Sequence, residues 1–265
     1  MVKIDVGTSP SEKAAAVVTG AGSGIGRAIA IALARAGHAV VCADLDIKGA
    51  EATSGSIAAE GGRSLSIHTD VGVYDSVAVA VRSAVDSFGT LGVFVNNAGI
   101  DAPGPLLDQD VAEVEKLIRT NVLGVIYGMR AAGRAMRDGG LGGVIINIAS
   151  AGAYMGVSLM VPYTGSKGAV VAMTRSAAVE LAPFGIRCVG VAPGAVNTPL
   201  FQSFKATSPE TLAIAESIGS QHFRGHLIDV NEIAEVVAFL ASPAAVAING
   251  TTILADDGYA QFKTR

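Results

Sequence analysis

The chain is poor in the residue types that carry several large classes of function. Two cysteines in 265 residues cannot build a disulfide framework. Cys42 lies in AVVCAD and Cys188 in IRCVGV, short β-branched runs where a small buried hydrophobe is expected rather than a redox or metal-binding thiol. Histidine is scarce too, with four in all. His222 and His226 stand four apart in HFRGH, but no second cluster of Cys, His or carboxylates accompanies them, so no metal site is expected. Only 16% of residues are charged and the net charge is −4, with no run of Lys or Arg, which argues against nucleic acid as a partner. No stretch reaches the roughly 18 uninterrupted apolar residues of a spanning helix, so a membrane partner is not expected either. MVKIDVGTSPSEK has neither the apolar run nor the small-residue cleavage site of a secretory signal; the expectation is a polar tail over residues 1–12 on a cytoplasmic chain.

What the chain does have is apolar mass. Half of its residues are hydrophobic, enough for a large core, and its length suits one α/β domain, placed here at residues 13–260. Seven runs read as strands: AAAVVT (14–19), HAVVCAD (38–44), SLSIHTD (64–70), LGVFVNN (91–97), GGVIINIAS (142–150), IRCVGVAP and TTILAD. Helical spacing marks residues 25–37, 77–89, 111–136, 163–181 and 230–241. Such alternation predicts a parallel sheet covered by helices on both faces and joined by right-handed crossovers.

TGAGSGIG, from Thr19 to Gly26, stands between the first strand and the first helix. Glycines there let the backbone approach a pyrophosphate, and the free N–H groups of the helix N-terminus favour its oxygens. The spacing is G-x-x-x-G-x-G, from Gly20, Gly24 and Gly26, so a dinucleotide is the expected ligand. Asp44 ends the second strand, where a carboxylate accepts hydrogen bonds from the adenosine ribose and repels a 2′-phosphate. Leu45, Asp46 and Ile47 follow it and Ser23 is not basic, which points to NAD, with NADP disfavoured. DLDIKG would equally suit a solvated turn.

Tyr163 and Lys167 in YTGSK share one helix face, so an ammonium can sit near a phenol whose free pKa is about 10 and favour its ionised form. Ser150 ends the fifth strand, at the sheet edge where ligands of open α/β folds bind, and its hydroxyl is placed to hold a substrate oxygen. An i, i+4 Tyr/Lys pair is also ordinary on an amphipathic helix; the nucleotide loop, Asp44 and Ser150 give it weight as an acid–base pair.

TGAGSGIG, Asp70-Val71 after the third strand, NNAG (96–99), Asn121 in RTNVLG, Ser150, YTGSK and PGAVNTP (193–199) follow one another along the chain. In this it resembles the short-chain dehydrogenase/reductase family over residues 12 to 260. The resemblance implies a single-domain, three-layer Rossmann-like fold with a seven-stranded parallel sheet. It implies a catalytic tetrad of Asn121, Ser150, Tyr163 and Lys167, in which Lys167 lowers the tyrosine pKa and Asn121 holds a water that relays protons. It further implies adenine contacts from Asp70 and Val71, ribose contacts from Asn97, Ala98 and Gly99, and nicotinamide and phosphate contacts from Val196 and Thr198. Ser23, Ile25, Leu45, Pro193 and Gly194 complete the implied cofactor set. A homo-oligomer, with a tetramer favoured, is implied as well; apolar stripes on residues 111–136 and 163–182 offer an interface. The family often ends its last strand in a vDGG-like turn, whereas this chain has LADDGYAQF, and His222-Phe-Arg-Gly also departs from the common pattern.

AGAYMGVSLMVP (151–162) is nearly all apolar, and residues 199–226 mix apolar and polar positions as a lid would. The expected substrate is therefore a small, largely apolar secondary alcohol or ketone, although these residues would equally pack a lid or subunit contact. An NAD-linked alcohol dehydrogenase is the leading expectation. A 3-oxoacyl thioester reductase is the alternative, and a non-catalytic NAD-binding regulator a remote one.

Overall fold

The structure, a computed structural model, describes residues 13–260; the expected tail over residues 1–12 and the end of LADDGYAQF lie outside the described residues. Strands β1 (Lys13–Thr19), β2 (His38–Asp44), β3 (Ser64–His68), β4 (Leu91–Asn96), β5 (Gly143–Ile148), β6 (Ile186–Pro193) and β7 (Thr252–Ala255) form one sheet. All neighbours are parallel, in the order β3-β2-β1-β4-β5-β6-β7. This is the parallel sheet that the strand–helix alternation predicts and the seven-stranded Rossmann-like arrangement that the resemblance implies.

Strand side chains alternate between two buried faces. Ala16 and Val18 of β1 pack with α1 (Gly24–Arg35) and α9 (Val230–Ala241). Ala15 and Val17 pack with α3 (Tyr74–Phe88) and α5 (Gly124–Gly139). The order reverses between β1 and β4, which opens a crevice beyond their carboxyl ends.

Two elements differ from the sequence pattern. No helix is predicted between β2 and β3, yet α2 (Ile47–Ala59) is there. Its sequence, IKGAEATSGSIAA, has two glycines and buries only Ala50, Thr53 and Ile57, so its apolar stripe is too thin to show. The Asp46 carboxylate caps it by accepting from Lys48 N–H at 3.1 Å, so DLDIKG is a helix start rather than a solvated turn. The long helix expected over 111–136 divides into α4 (Val111–Ile118), a π-turn (Arg119–Leu123) and α5. The turn carries Asn121 inward, and Gly124 then lets α5 lie against Val71.

Beneath the crevice, buried polar groups cross the sheet: Asn96 Nδ2 donates to Asn147 Oδ1 (2.8 Å), and Asn147 Nδ2 to Thr174 Oγ1 (3.0 Å) on α6 (Val161–Leu181). Among the described residues no helix is long and apolar enough to cross a membrane. Gly128 of α5 lies directly over Asn96, and a Cβ there would collide with the Asn96 amide oxygen and the Phe94 ring. Gly128→Ala should therefore destabilise the fold by about 1–3 kcal/mol through overpacking, read as a lower denaturation midpoint. An unchanged midpoint would show that α5 does not rest on this pair.

Candidate active site

One cavity of about 560 Å³ runs from the glycine loop to the segments around Tyr163. At its floor Thr19 is buried, and its hydroxyl donates to Val95 O (3.1 Å) while accepting from the N–H groups of Asn97 (3.0 Å) and Ala98 (3.1 Å). Asn97 Nδ2 donates to Thr19 O (2.9 Å) and Gly20 O (3.2 Å). A Cβ on Gly26 would run into the Gly20 carbonyl and the Asn97 amide, so only glycine lets α1 sit this close to the loop. Ser23, Gly24, Ile25 and Gly26 line the cavity, and the first turn of α1 has neither a side-chain cap nor an acidic residue. By contrast, α2, α4 and α9 are capped by Asp46, Asp110 and Asp229. An uncapped helix start facing a glycine-bounded cradle fits the pyrophosphate of a dinucleotide.

Asp44, Leu45, Asp46, Asp70 and Val71 line one end. The Asp44 carboxylate accepts from Gly22 N–H (2.6 Å) and Asp46 N–H (2.8 Å), so it braces the glycine loop and keeps lone pairs for further donors. Asp70 accepts from Gly72 N–H (2.8 Å). Asn97, Ala98, Gly99, Pro193, Gly194, Val196 and Thr198 complete the wall, Thr198 also capping α7 (Pro199–Lys205).

At the other end the Ser150 hydroxyl accepts from Gly152 N–H at 3.1 Å and acts on the nearby Tyr163 phenol, favouring its ionised form. Lys167 is buried; its Nζ donates to Ile148 O (3.0 Å) and stands 5.7 Å from the centre of the Tyr163 ring. The two ionisable groups are pushed toward neutrality. Burial lowers the Lys167 amine to about 8. Burial also raises the Tyr163 phenol to about 12, against the Ser150 hydrogen bond, with the charge of Asp101 adding to the rise. Desolvation is thus the first cause of the shift in both groups.

Every residue singled out from sequence lines the cavity except Asn121. Asn121 is fully buried behind the wall, where its Oδ1 accepts from Ile100 N–H (2.9 Å) and its Nδ2 donates to Ile100 O (2.8 Å) and Ser166 Oγ (3.1 Å). Its side chain thus clamps the backbone leaving β4. The sequence reading missed Asp101, which follows that clamp and lines the cavity; burial raises its carboxyl to about 6. A single acidic residue after NNAGI was the available signal. Cys42 and Cys188 are buried free thiols, raised to about 12 by burial. Among the described residues no group of three His, Cys, Asp or Glu side chains is placed to hold a metal ion.

Residues 199–226 form α7 and α8 (Pro209–Gln221), from which Phe201, Phe204 and Ile218 face the cavity. The base of this excursion is pinned: Ile228 N–H donates to Ala195 O (2.9 Å), and buried His222 accepts from Ala195 N–H through Nε2 (3.2 Å). That bond places the ring proton on Nδ1, which donates to Ile218 O (3.1 Å). His222 stacks on Tyr259 at 4.9 Å. In the unusual C-terminal turn Asp257 takes a left-handed φ of +49°, and its carboxylate accepts from Arg224 N–H (2.8 Å) and pairs with Arg224 Nε (3.3 Å). Aspartate tolerates this conformation better than most residues.

Between pH 8 and 10.5 the unfolded chain holds a proton on Lys167 that the folded chain has shed, so folding becomes more favourable as pH rises through that window. Denaturation of wild type and Lys167→Met across this range should show wild-type stability rising relative to the variant. A constant difference would overturn the shift.

A family model described as enoyl-(acyl carrier protein) reductase matches residues 20–260. A cis-4-hydroxycyclohexanecarboxylate dehydrogenase of Sinomonas cyclohexanicum is 40% identical over 255 residues, covering 96% of this chain and 99% of that protein. An L-rhamnose 1-dehydrogenase (NAD(P)(+)) of Azotobacter vinelandii is 35% identical over 246 residues, covering 91% and 94%. Among solved structures, a short-chain type dehydrogenase/reductase from Mycobacterium marinum superposes with a TM-score of 0.88 at 33% identity, over 95% of this chain and 97% of that one. The chain belongs to the short-chain dehydrogenase/reductase family.

Proposed function

We propose that this protein interconverts a secondary alcohol and a ketone with NAD, using Tyr163 to exchange the proton. The observation that carries the reading is the Ser150–Tyr163 hydroxyl pair, backed by buried Lys167, on the wall of the cavity that begins at the glycine loop. When bound, the dinucleotide supplies the acceptor or donor of hydride. Ser150 holds the substrate oxygen. In reduction Tyr163, protonated well above neutral pH, gives its proton to that oxygen; in oxidation it takes one, and the Lys167 ammonium offsets the phenolate. Asn121 serves as a positioning residue that holds Ile100 rather than touching the substrate. The α7–α8 excursion acts as the lid.

NAD is favoured by charge. Asp44, Asp46 and Asp70 bring three carboxylates to one end of the cavity, Arg27 is engaged with Gly22 O (2.8 Å) and Thr53 Oγ1 (3.1 Å), and Lys116, which also lines the cavity, pairs with Glu113 (3.7 Å). A 2′-phosphate beside Asp44 would be repelled by that carboxylate. Cofactor preference also separates this reading from a 3-oxoacyl thioester reductase. A homotetramer working in the cytoplasm remains part of the proposal.

Tyr163→Phe should lower kcat by about 10²–10⁴-fold in a screen of secondary alcohols with NAD, followed by nicotinamide absorbance. Full activity of that variant would refute the proton role. Asp44→Ala should raise KM for NAD about tenfold and narrow the preference over NADP, consistent with loss of roughly one charge-assisted hydrogen bond. Unchanged cofactor kinetics would refute the ribose contact.

A further inference from the structure

Asp101 stands where an ordinary pocket residue would be apolar. The cavity that it lines is also lined by Val157, Met160, Leu200, Phe201, Phe204 and Ile218. Its carboxyl shares that wall with Ser150 and Tyr163 and acts electrostatically on the Tyr163 phenol. Among the described residues no cation lies within ion-pair distance of it, and its hydrogen bonding is to its own backbone N–H.

The position of Asp101 is set from both sides. Asn121 holds the preceding residue, Ile100, by its N–H and its C=O. On the far side Gly104 N–H donates to Leu159 O at 2.9 Å, tying this loop to the segment that leads into Tyr163. Leu159 itself sits at φ +65°, a left-handed conformation that a leucine rarely takes and that needs surrounding contacts to persist. The backbone on either side of Asp101 is therefore held by two independent ties.

A half-buried carboxylate without a cation partner gains most from a neutral hydrogen-bond donor and repels a second anion. We infer that Asp101 determines specificity in this pocket, and that the substrate is a neutral diol or polyol whose second hydroxyl donates to Asp101 while the reacting hydroxyl meets Ser150 and Tyr163. The inference rests on the dehydrogenase reading above. On the same reading a substrate carboxylate near Asp101 would be disfavoured.

The test uses the full-length protein with NAD and paired probes: cyclohexanol against 1,2-cyclohexanediol, 2-butanol against 2,3-butanediol, and 4-hydroxycyclohexanecarboxylate as the anion. In wild type the diol of each pair should have the higher kcat/KM, by about 10- to 100-fold for a hydrogen bond to a charged acceptor. Asp101→Leu should remove that ratio. Asp101→Asn, nearly isosteric, should reduce the ratio and raise turnover of the hydroxy acid relative to the diol. A merely structural defect would lower all probes in parallel and leave the ratios intact, and that outcome overturns the inference, as does wild-type preference for the mono-alcohols or the hydroxy acid. Full activity of Tyr163→Phe would instead overturn the dehydrogenase reading itself, whatever the ratios.

Discussion

At the carboxyl ends of β1 and β4 the chain winds away in opposite directions, and the hydroxyl of Thr19 holds the two strands together there. It bonds three backbone groups of the Val95–Ala98 segment while Asn97 returns two bonds to Thr19 and Gly20. Side chains rather than sheet ladders make these bonds, because the ladder has already ended and the backbone groups would otherwise be buried without partners. The glycine loop can then lie flat on β4, and α1 can approach it through Gly26. The crevice, the uncapped start of α1 and the direction in which Ile100 and Asp101 leave β4 all follow from this junction.

Beyond it the site is organised by desolvation. Lys167, Tyr163 and Asp101 all move toward their neutral forms, and burial is the first cause in each case. A dry wall of this kind makes every remaining dipole and charge count for more than it would in water. That is why one carboxyl without a cation partner carries weight in a largely apolar cavity. Asn121 contributes to the same arrangement indirectly: its amide is spent on Ile100 and Ser166, two residues that bracket the wall from β4 and α6.

The α7–α8 excursion is hung on this frame rather than built into it. Val196 and Ile228 form a one-pair parallel bridge, so the excursion through α7 and α8 leaves and returns at one point of the sheet edge. His222, stacked on Tyr259, and Arg224, paired with Asp257 and Glu232, fasten its base to the turn after β7. Asp257 supplies both the left-handed turn and an anchoring carboxylate, so the turn bends as needed while the base of the excursion gains a polar tie.

The family, the sheet and most of the cavity wall were legible in the sequence, because they depend on local patterns. Continuous apolar runs make buried parallel strands, a glycine loop precedes a helix, and Tyr163 and Lys167 share a helix face by periodicity alone. Strands β2 and β6 and helix α9 stand at the limits their patterns predict. Helix α2 was not legible, since three buried residues leave too weak a stripe. Nor was the inward turn of Asn121, which exists because Ile100, distant in sequence, offers an unpaired N–H and C=O. Only the tertiary structure decided which way the pKa values move and that Asp101 lines the same cavity as Ser150 and Tyr163. Burial and cross-chain ties set both, and neither is a property of neighbouring residues.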